Sequence, residues 1–238
     1  GAGYRVSVPR LPGHGTSWQE MNRTAWPDWY ATLDRELADL RRDCDQVVAG
    51  GLSMGGALAI RLAEQHRDVR GLLLVNPAIA TRDRRMAAVP LMARFQASVA
   101  AIGNDIAKPG VSEHAYSRTP LRALVSMLAL QKDVRSRLEA VTCPVLLCVS
   151  DVDHVVDTSS RELLRGRLSD DQLEVAALHR SYHVATLDHD AEVIEEFVDA
   201  GASARSADRP QLQAMLERLK EGGIDYVIVH KVDRLARD

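Results

Sequence analysis

The sequence predicts an α/β protein: a mostly parallel sheet with helices on both faces, a helical insertion over one end, and a short helix–strand appendage at the C-terminus. Three observations carry this. Short apolar runs bounded by Gly or Pro alternate with amphipathic stretches, the rhythm of strand–helix–strand units. That rhythm is interrupted once, between about Ile79 and Ala140, where helical periodicity takes over. It stops at about residue 195, where composition turns small and polar, and resumes briefly before the end.

Taken in order, a strand over Tyr4–Val8 ends at Pro9 and leads into the loop Leu11-Pro12-Gly13-His14-Gly15. A helix is expected over Trp26–Arg41, with Pro27 tolerated in its first turn. Trp26, Trp29, Leu33, Leu37 and Leu40 recur at three- and four-residue spacing and predict one buried stripe. A strand over Val47–Gly50 is followed by a helix to Gln65, and Gly71–Pro77 is a fully apolar strand stopped by proline. The insertion offers helical patterns over Met86–Ala101 and Leu121–Leu138 and no strand pattern, and it reads as a cap (about 80–140) whose apolar faces line a pocket. The sheet resumes with Pro144–Ser150, a helix over Ser159–Leu168, a strand over Gln172–Leu178 and a last helix from Asp190.

Bulk properties bound the function. At 238 residues with 46% apolar content, the chain can bury one α/β core plus an appendage. A net charge of −3 gives no reason to expect nucleic-acid binding or attraction to anionic membranes by the chain as a whole. Three cysteines, Cys44, Cys143 and Cys148, lie in or beside apolar runs, which suits small core hydrophobes in a reducing compartment. No apolar run reaches transmembrane length and the N-terminus lacks a signal-peptide pattern, so a cytoplasmic protein without a membrane span is expected. No metal site is expected.

Gly51-Leu52-Ser53-Met54-Gly55 sits at the joint between a strand and a helix. G-x-S-x-G in that setting is the pattern of a nucleophile elbow: glycines two before and two after the serine permit the tight turn, and the helix start favours negative charge. The Met54 backbone N–H is then placed to donate to a developing oxyanion. A serine hydroxyl needs a histidine to take its proton and a carboxylate to orient that histidine. Downstream, the loop after the 144–150 strand offers Asp151 and Asp153, with Asp157 suited to capping the next helix. The loop after the 172–178 strand offers His183, with His179 and His189 as rivals. Asp153 is preferred because the loop needs a residue or two to turn inward, and His183 because it lies just past the strand. Ser53, Asp153 and His183 thus form the candidate catalytic set, in the chain order Ser–Asp–His.

With these residues the chain resembles the bacterial carboxylesterase and monoacylglycerol lipase branch of the α/β-hydrolases, over about residues 1–195. The resemblance is carried by Leu11–Gly15, Gly51–Gly56, Ser150-Asp151-Val152-Asp153-His154-Val155-Val156 and Ser181–Asp188. It implies Ser53 as nucleophile, Asp153 as acid and His183 as base, no cofactor, a small helical cap and a small acyl-ester substrate of short to medium chain, monoacylglycerols included. It also implies N-terminal strands and an oxyanion loop that this sequence does not contain, since it starts just before Leu11–Gly15. The expectation is therefore a sheet with a gap between the Tyr4–Val8 and Val47–Gly50 strands, and an impaired site.

From about 196 to 238 the chain resembles the catalytic domain of resolvase/invertase-type serine recombinases. Here a helix is expected over Gln211–Glu221 and a strand over Tyr226–Val229. The resemblance places Arg209, Asp233, Arg234 and Arg237 at that family's active-site positions, where guanidinium groups suit a transferring phosphoryl group. The recombinase nucleophile is not in this segment. A gene fusion is the expected origin, with DNA recombination or no autonomous function as alternatives to ester hydrolysis. Docking of the 226–229 strand on the hydrolase sheet, at an edge or in the gap, is a further expectation.

Overall fold

A computed structural model describes residues 5–194 and 226–230. Strands β1 (Arg5–Ser7), β2 (Val47–Leu52), β3 (Val69–Val75), β6 (Val145–Ser150), β7 (Leu173–Leu178) and β8 (Tyr226–His230) form one all-parallel sheet, in the order β1-β8-β2-β3-β6-β7. Helices α2 (Trp26–Leu40), α3 (Met54–Gln65) and α6 (Ser159–Arg167) connect or flank these strands, with a four-residue helix α1 (Trp18–Met21) after the Pro-Gly loop. A further helical segment begins at 191.

The strands are apolar at nearly every position because both faces of the sheet are covered. Val47, Ala49, Leu72, Leu74, Val145, Leu147 and Val149 point to the larger core, where α2 buries Trp29, Leu33, Leu37 and Leu40, as the sequence spacing anticipates. The alternate residues Val48, Val75, Leu146, Cys148, Ala176 and Leu178 meet Ala185 and Ile194 on the other face. Cys143 and Cys148 are buried free thiols, and burial pushes them up to about 11 and about 12.

The expected gap between β1 and β2 is filled by the strand expected to dock at an edge or in it, so no gap is left there. That strand is β8, with Val6 and Val48 both in register with Val227, and with β8 running alongside β2 from Val47↔Tyr226 to Gly51↔His230. A parallel strand between two others satisfies their inward backbone N–H and C=O groups, which would be costly to leave buried and unpaired. The C-terminal strand is therefore an interior strand rather than an appendage. The expected Gln211–Glu221 helix and Arg209, Asp233, Arg234 and Arg237 lie outside the described residues.

The cap also differs from expectation. It contains a short antiparallel pair, β4 (Ser98–Ala100) with β5 (Arg118–Pro120), so Met86–Ala101 is not one helix. A 3-10 turn at Arg84–Ala88 runs into α4 (Val89–Phe95), which has Pro90 in its first turn and ends at Gln96 in extended conformation. Helix α5 (Leu121–Arg135) holds its predicted place. Three-residue strands carry too little alternation to stand out in a sequence. Asp157, expected as the cap of α6, instead precedes its N-cap residue Thr158; its carboxylate still accepts from Ser159 N (2.8 Å) at the helix start and from Arg82 N (2.7 Å) at the edge of the cap.

Candidate active site

The carboxyl ends of the parallel strands converge on one site, as open α/β sheets do. Strand β2 ends at Leu52, and Ser53 forms the elbow with φ 54° and ψ −119°, a backbone conformation that L-residues rarely hold. It is held by Ser53 N donating to Val75 O (3.0 Å) and by Ser53 O accepting from Gly56 N and Ala78 N (3.0 Å each). The flanking glycines are required by space. A Cβ on Gly51 would stand 2.2 Å from Gly55 C and 2.4 Å from Gly55 O, and one on Gly56 would stand 2.8 Å from Pro77 Cβ. Met54 opens α3, so its N–H is one of the unpaired donors at the helix start.

His183 and Asp153 meet at the ends of the two loops that carry them. His183 Nδ1 lies 2.7 Å from Asp153 Oδ2, and the two side chains are only 8% and 9% exposed. The second Asp153 oxygen accepts from Val155 N (2.8 Å) and Val156 N (2.7 Å), which fixes the carboxylate. The rivals pair with each other. His179 Nδ1 is 2.6 Å from Asp151 Oδ2, on side chains 73% and 50% exposed. His189 is exposed at the surface.

Ser53, Met54 and His183 line one cavity of about 350 Å³. Its walls are mainly apolar: Leu52, Ile102, Ala115, Met127, Val155 and Val184, with the cap providing much of one side. His14, from the Pro-Gly loop, borders it as well. Burial lowers the His14 imidazole below its ordinary value, against the raising effect of its contact with Pro12 O (3.2 Å), so the ring is neutral at pH 7.

Several residues that hold this geometry were not singled out in the sequence. Asn76, just past β3 at φ 42°, donates to Ser150 Oγ (2.9 Å) and His183 O (2.8 Å) and accepts from Ser150 N (2.8 Å). It thereby ties the ends of β3 and β6 to the histidine loop. The signal was present as Asn-Pro at a strand end, where asparagine tolerates the left-handed region. Asp188 accepts from Tyr182 N (2.9 Å), Ala107 N (2.7 Å) and Lys108 N (2.9 Å). Burial alone would raise its carboxyl, but these backbone donors outweigh that and hold it low. Among the described residues no group of three or more His, Cys, Asp or Glu could hold a metal ion.

A strained serine between β2 and α3, sharing a cavity with a buried Asp–His pair, is an arrangement that recurs in known proteins. Residues 1–196 match the model of the alpha/beta hydrolase family. The chain belongs to this family. It is 38% identical over 200 residues to a thermostable monoacylglycerol lipase of Bacillus sp. (strain H-257), covering 82% of this chain and 78% of the relative. It is 20% identical over 197 residues to a carboxylesterase of Bacillus subtilis (strain 168). A solved structure from work on the metagenome-derived lipolytic enzymes LipS and LipT superposes with a TM-score of 0.76 at 33% identity, covering 90% of this chain and 80% of that one. A monoacylglycerol lipase from Paleococcus ferrophilus shares the fold, with a TM-score of 0.59 at 19% identity over 88% of this chain and 80% of that one. Residues 166–238 match the resolvase N-terminal domain, so the family-level resemblance of the C-terminal segment holds. The two matches overlap at 166–196. No helix among the described residues is long and apolar enough to cross a membrane.

Proposed function

We propose that this chain is a serine hydrolase of carboxylic esters that works through an acyl-enzyme, with Ser53 as nucleophile, His183 as general base and Asp153 as the carboxylate that orients it. The observation that carries this reading is the Asp153–His183 pair, buried at 2.7 Å, opening on the same cavity as the elbow serine. His183 takes the Ser53 proton as Oγ attacks the ester carbonyl, and Asp153 holds the tautomer and stabilises the imidazolium. The Met54 N–H donates to the oxyanion. The intermediate collapses as His183 returns the proton to the leaving alkoxide, and water activated by the same histidine then releases the acid.

The cavity favours an acyl chain of short to medium length, because its walls are apolar and its volume is at the lower end for ligand pockets. The lipase and esterase relatives support the same class, including monoacylglycerols as substrates. Hydrolysis of p-nitrophenyl esters from C2 to C12 and of a monoacylglycerol tests the reading. Measurable turnover that falls at least about 10³-fold in Ser53→Ala is expected, and equal rates in both proteins would overturn it.

A second reading, a role in DNA recombination, rests on the resolvase-type match at 166–238. Strand β8 of that segment is paired on both sides within the hydrolase sheet, which favours a structural use. Salt-dependent duplex DNA binding lost in Arg234→Ala/Arg237→Ala would favour the recombinase reading instead.

A further inference from the structure

We propose that Asp105, in the cap loop between β4 and β5, is a positioning residue for the catalytic pair; the inference rests on the serine-hydrolase reading above. Asp105 comes from a segment nearly fifty residues before the acid loop and nearly eighty before the histidine loop, yet it touches both. Its Oδ2 accepts from the backbone N–H of His183 (3.1 Å) and from that of His154 (3.2 Å), the residue after Asp153. Its Oδ1 lies 2.7 Å from His154 Nδ1. Its own carbonyl accepts from Val184 N (3.2 Å). One carboxylate therefore grips the chain beside each member of the Asp153–His183 pair.

Burial makes the grip selective. Asp105 is 8% exposed. Burial alone would raise its carboxyl, but the His154 side chain and the His154 and His183 backbone N–H groups outweigh it and hold it below the ordinary value. The grip is thus anionic at any pH where an ester hydrolase works. His154 in turn packs edge-on against Tyr182 at 4.8 Å, which braces the residue before His183. Asp153 meets the His183 ring and Asp105 its backbone N–H, while Asp188 holds Tyr182 N and Asp190 holds Arg180 N in the same loop.

The two loops are fixed relative to each other not only by the 2.7 Å Asp153–His183 contact but by a second carboxylate behind it. Small misplacements of a base cost rate steeply, so loss of the grip lowers turnover more than substrate affinity.

The test uses the whole 238-residue chain and the rate at which a fluorophosphonate labels Ser53. In that reaction the Ser53 Oγ–P bond forms, P–F breaks, and the proton passes through His183 to solvent, so the readout requires a well-placed base but no particular ester. Asp105→Asn keeps the shape and removes the charge. It is expected to label roughly tenfold more slowly per folded molecule. For ester turnover the loss is expected in kcat rather than KM, and Asp105→Glu should recover part of it. His154→Ala, which leaves Oδ2 free to hold His183 N, should slow labelling only about two- to threefold, and it serves alone if Asp105→Asn does not fold. A parental labelling rate in Asp105→Asn would overturn the proposal. So would a parental rate in His154→Ala, should that variant have to stand alone. Labelling that persists undiminished in Ser53→Ala would instead overturn the serine-hydrolase reading itself.

Discussion

Strands β2 and β8 lie side by side, yet they are specified in opposite ways. Strand β2 runs directly into the elbow, whose marking residues Gly51, Ser53, Gly55 and Gly56 stand within six positions, between an apolar strand and a helix start. Strand β8 arrives from the far end of the chain, out of a segment that matches a resolvase domain, and its five residues run in register with β2 and end opposite Gly51, two residues before Ser53. The difference teaches that a parallel interior strand needs only apolar residues and a free backbone edge on each side, whereas a catalytic turn needs particular residues at particular positions.

The comparison breaks most completely if β8 is dispensable. Deleting 196–238 removes the partner of both β1 and β2. Each buried backbone group left without a partner costs about 1–3 kcal/mol, and several such losses approach the whole stability of a domain. Loss of cooperative melting and of soluble protein is expected; an unchanged melting curve would show that β8 contributes nothing. Val227→Pro tests the same strand within the full chain. A strand flanked on both sides has no idle N–H, so removing one should destabilise by about 2 kcal/mol, read as a lower denaturation midpoint with the denaturant slope unchanged.

The local side of the comparison breaks at Gly51. A Cβ there would stand 2.2 Å from the Gly55 carbonyl carbon, a backbone atom that cannot swing away. Gly51→Ala must therefore push the elbow off its position. A displacement of the nucleophile by about 1 Å costs on the order of 10²-fold in rate. Ester hydrolysis is expected to fall by about that factor while the far-ultraviolet circular dichroism of the sheet and helices persists. Parental activity in Gly51→Ala would show that the turn is looser than its geometry implies.

The same contrast explains what could be read in the sequence. The elbow, the helix from Trp26 and the six strands of the sheet were legible because each is announced by its own apolar run, periodicity or turn residues. The choice of Asp153 over Asp151 and of His183 over His179 followed from loop position alone, and in the structure these residues fall into two separate pairs, one buried and one exposed. Asp105 and Asp188 were not legible, and Asn76 left only the Asn-Pro at its strand end, which does not name its partners. Each works by accepting or donating to the backbone of distant loops, and such contacts leave no spacing in the chain. The place of β8 was open for the same reason, since a short apolar run does not say which edge it joins.

The smallest effect concerns α3, the helix that follows the elbow and packs against β2 and β3. Glu64, on its last turn, has a fully buried side chain beside Arg61 (3.4 Å), which also meets Asp133 of α5 at 2.8 Å. Burial pushes the Glu64 carboxyl up to about 8, because the Arg61 charge offsets only part of the desolvation and Asp133 adds repulsion. The sign follows from linkage. Between the ordinary carboxylate range and about pH 8 the folded protein holds a proton that the unfolded chain has released, so stability declines as pH rises through that window and levels off above it. The melting temperature is expected to drop from pH 5 to pH 8, and Glu64→Gln should flatten that slope without moving the elbow, leaving ester hydrolysis within about twofold of the parent. A slope that survives in Glu64→Gln would place the titrating group elsewhere. A large loss of activity in that variant would mean that α3 transmits strain to Ser53, and that the elbow is less self-contained than its six residues suggest.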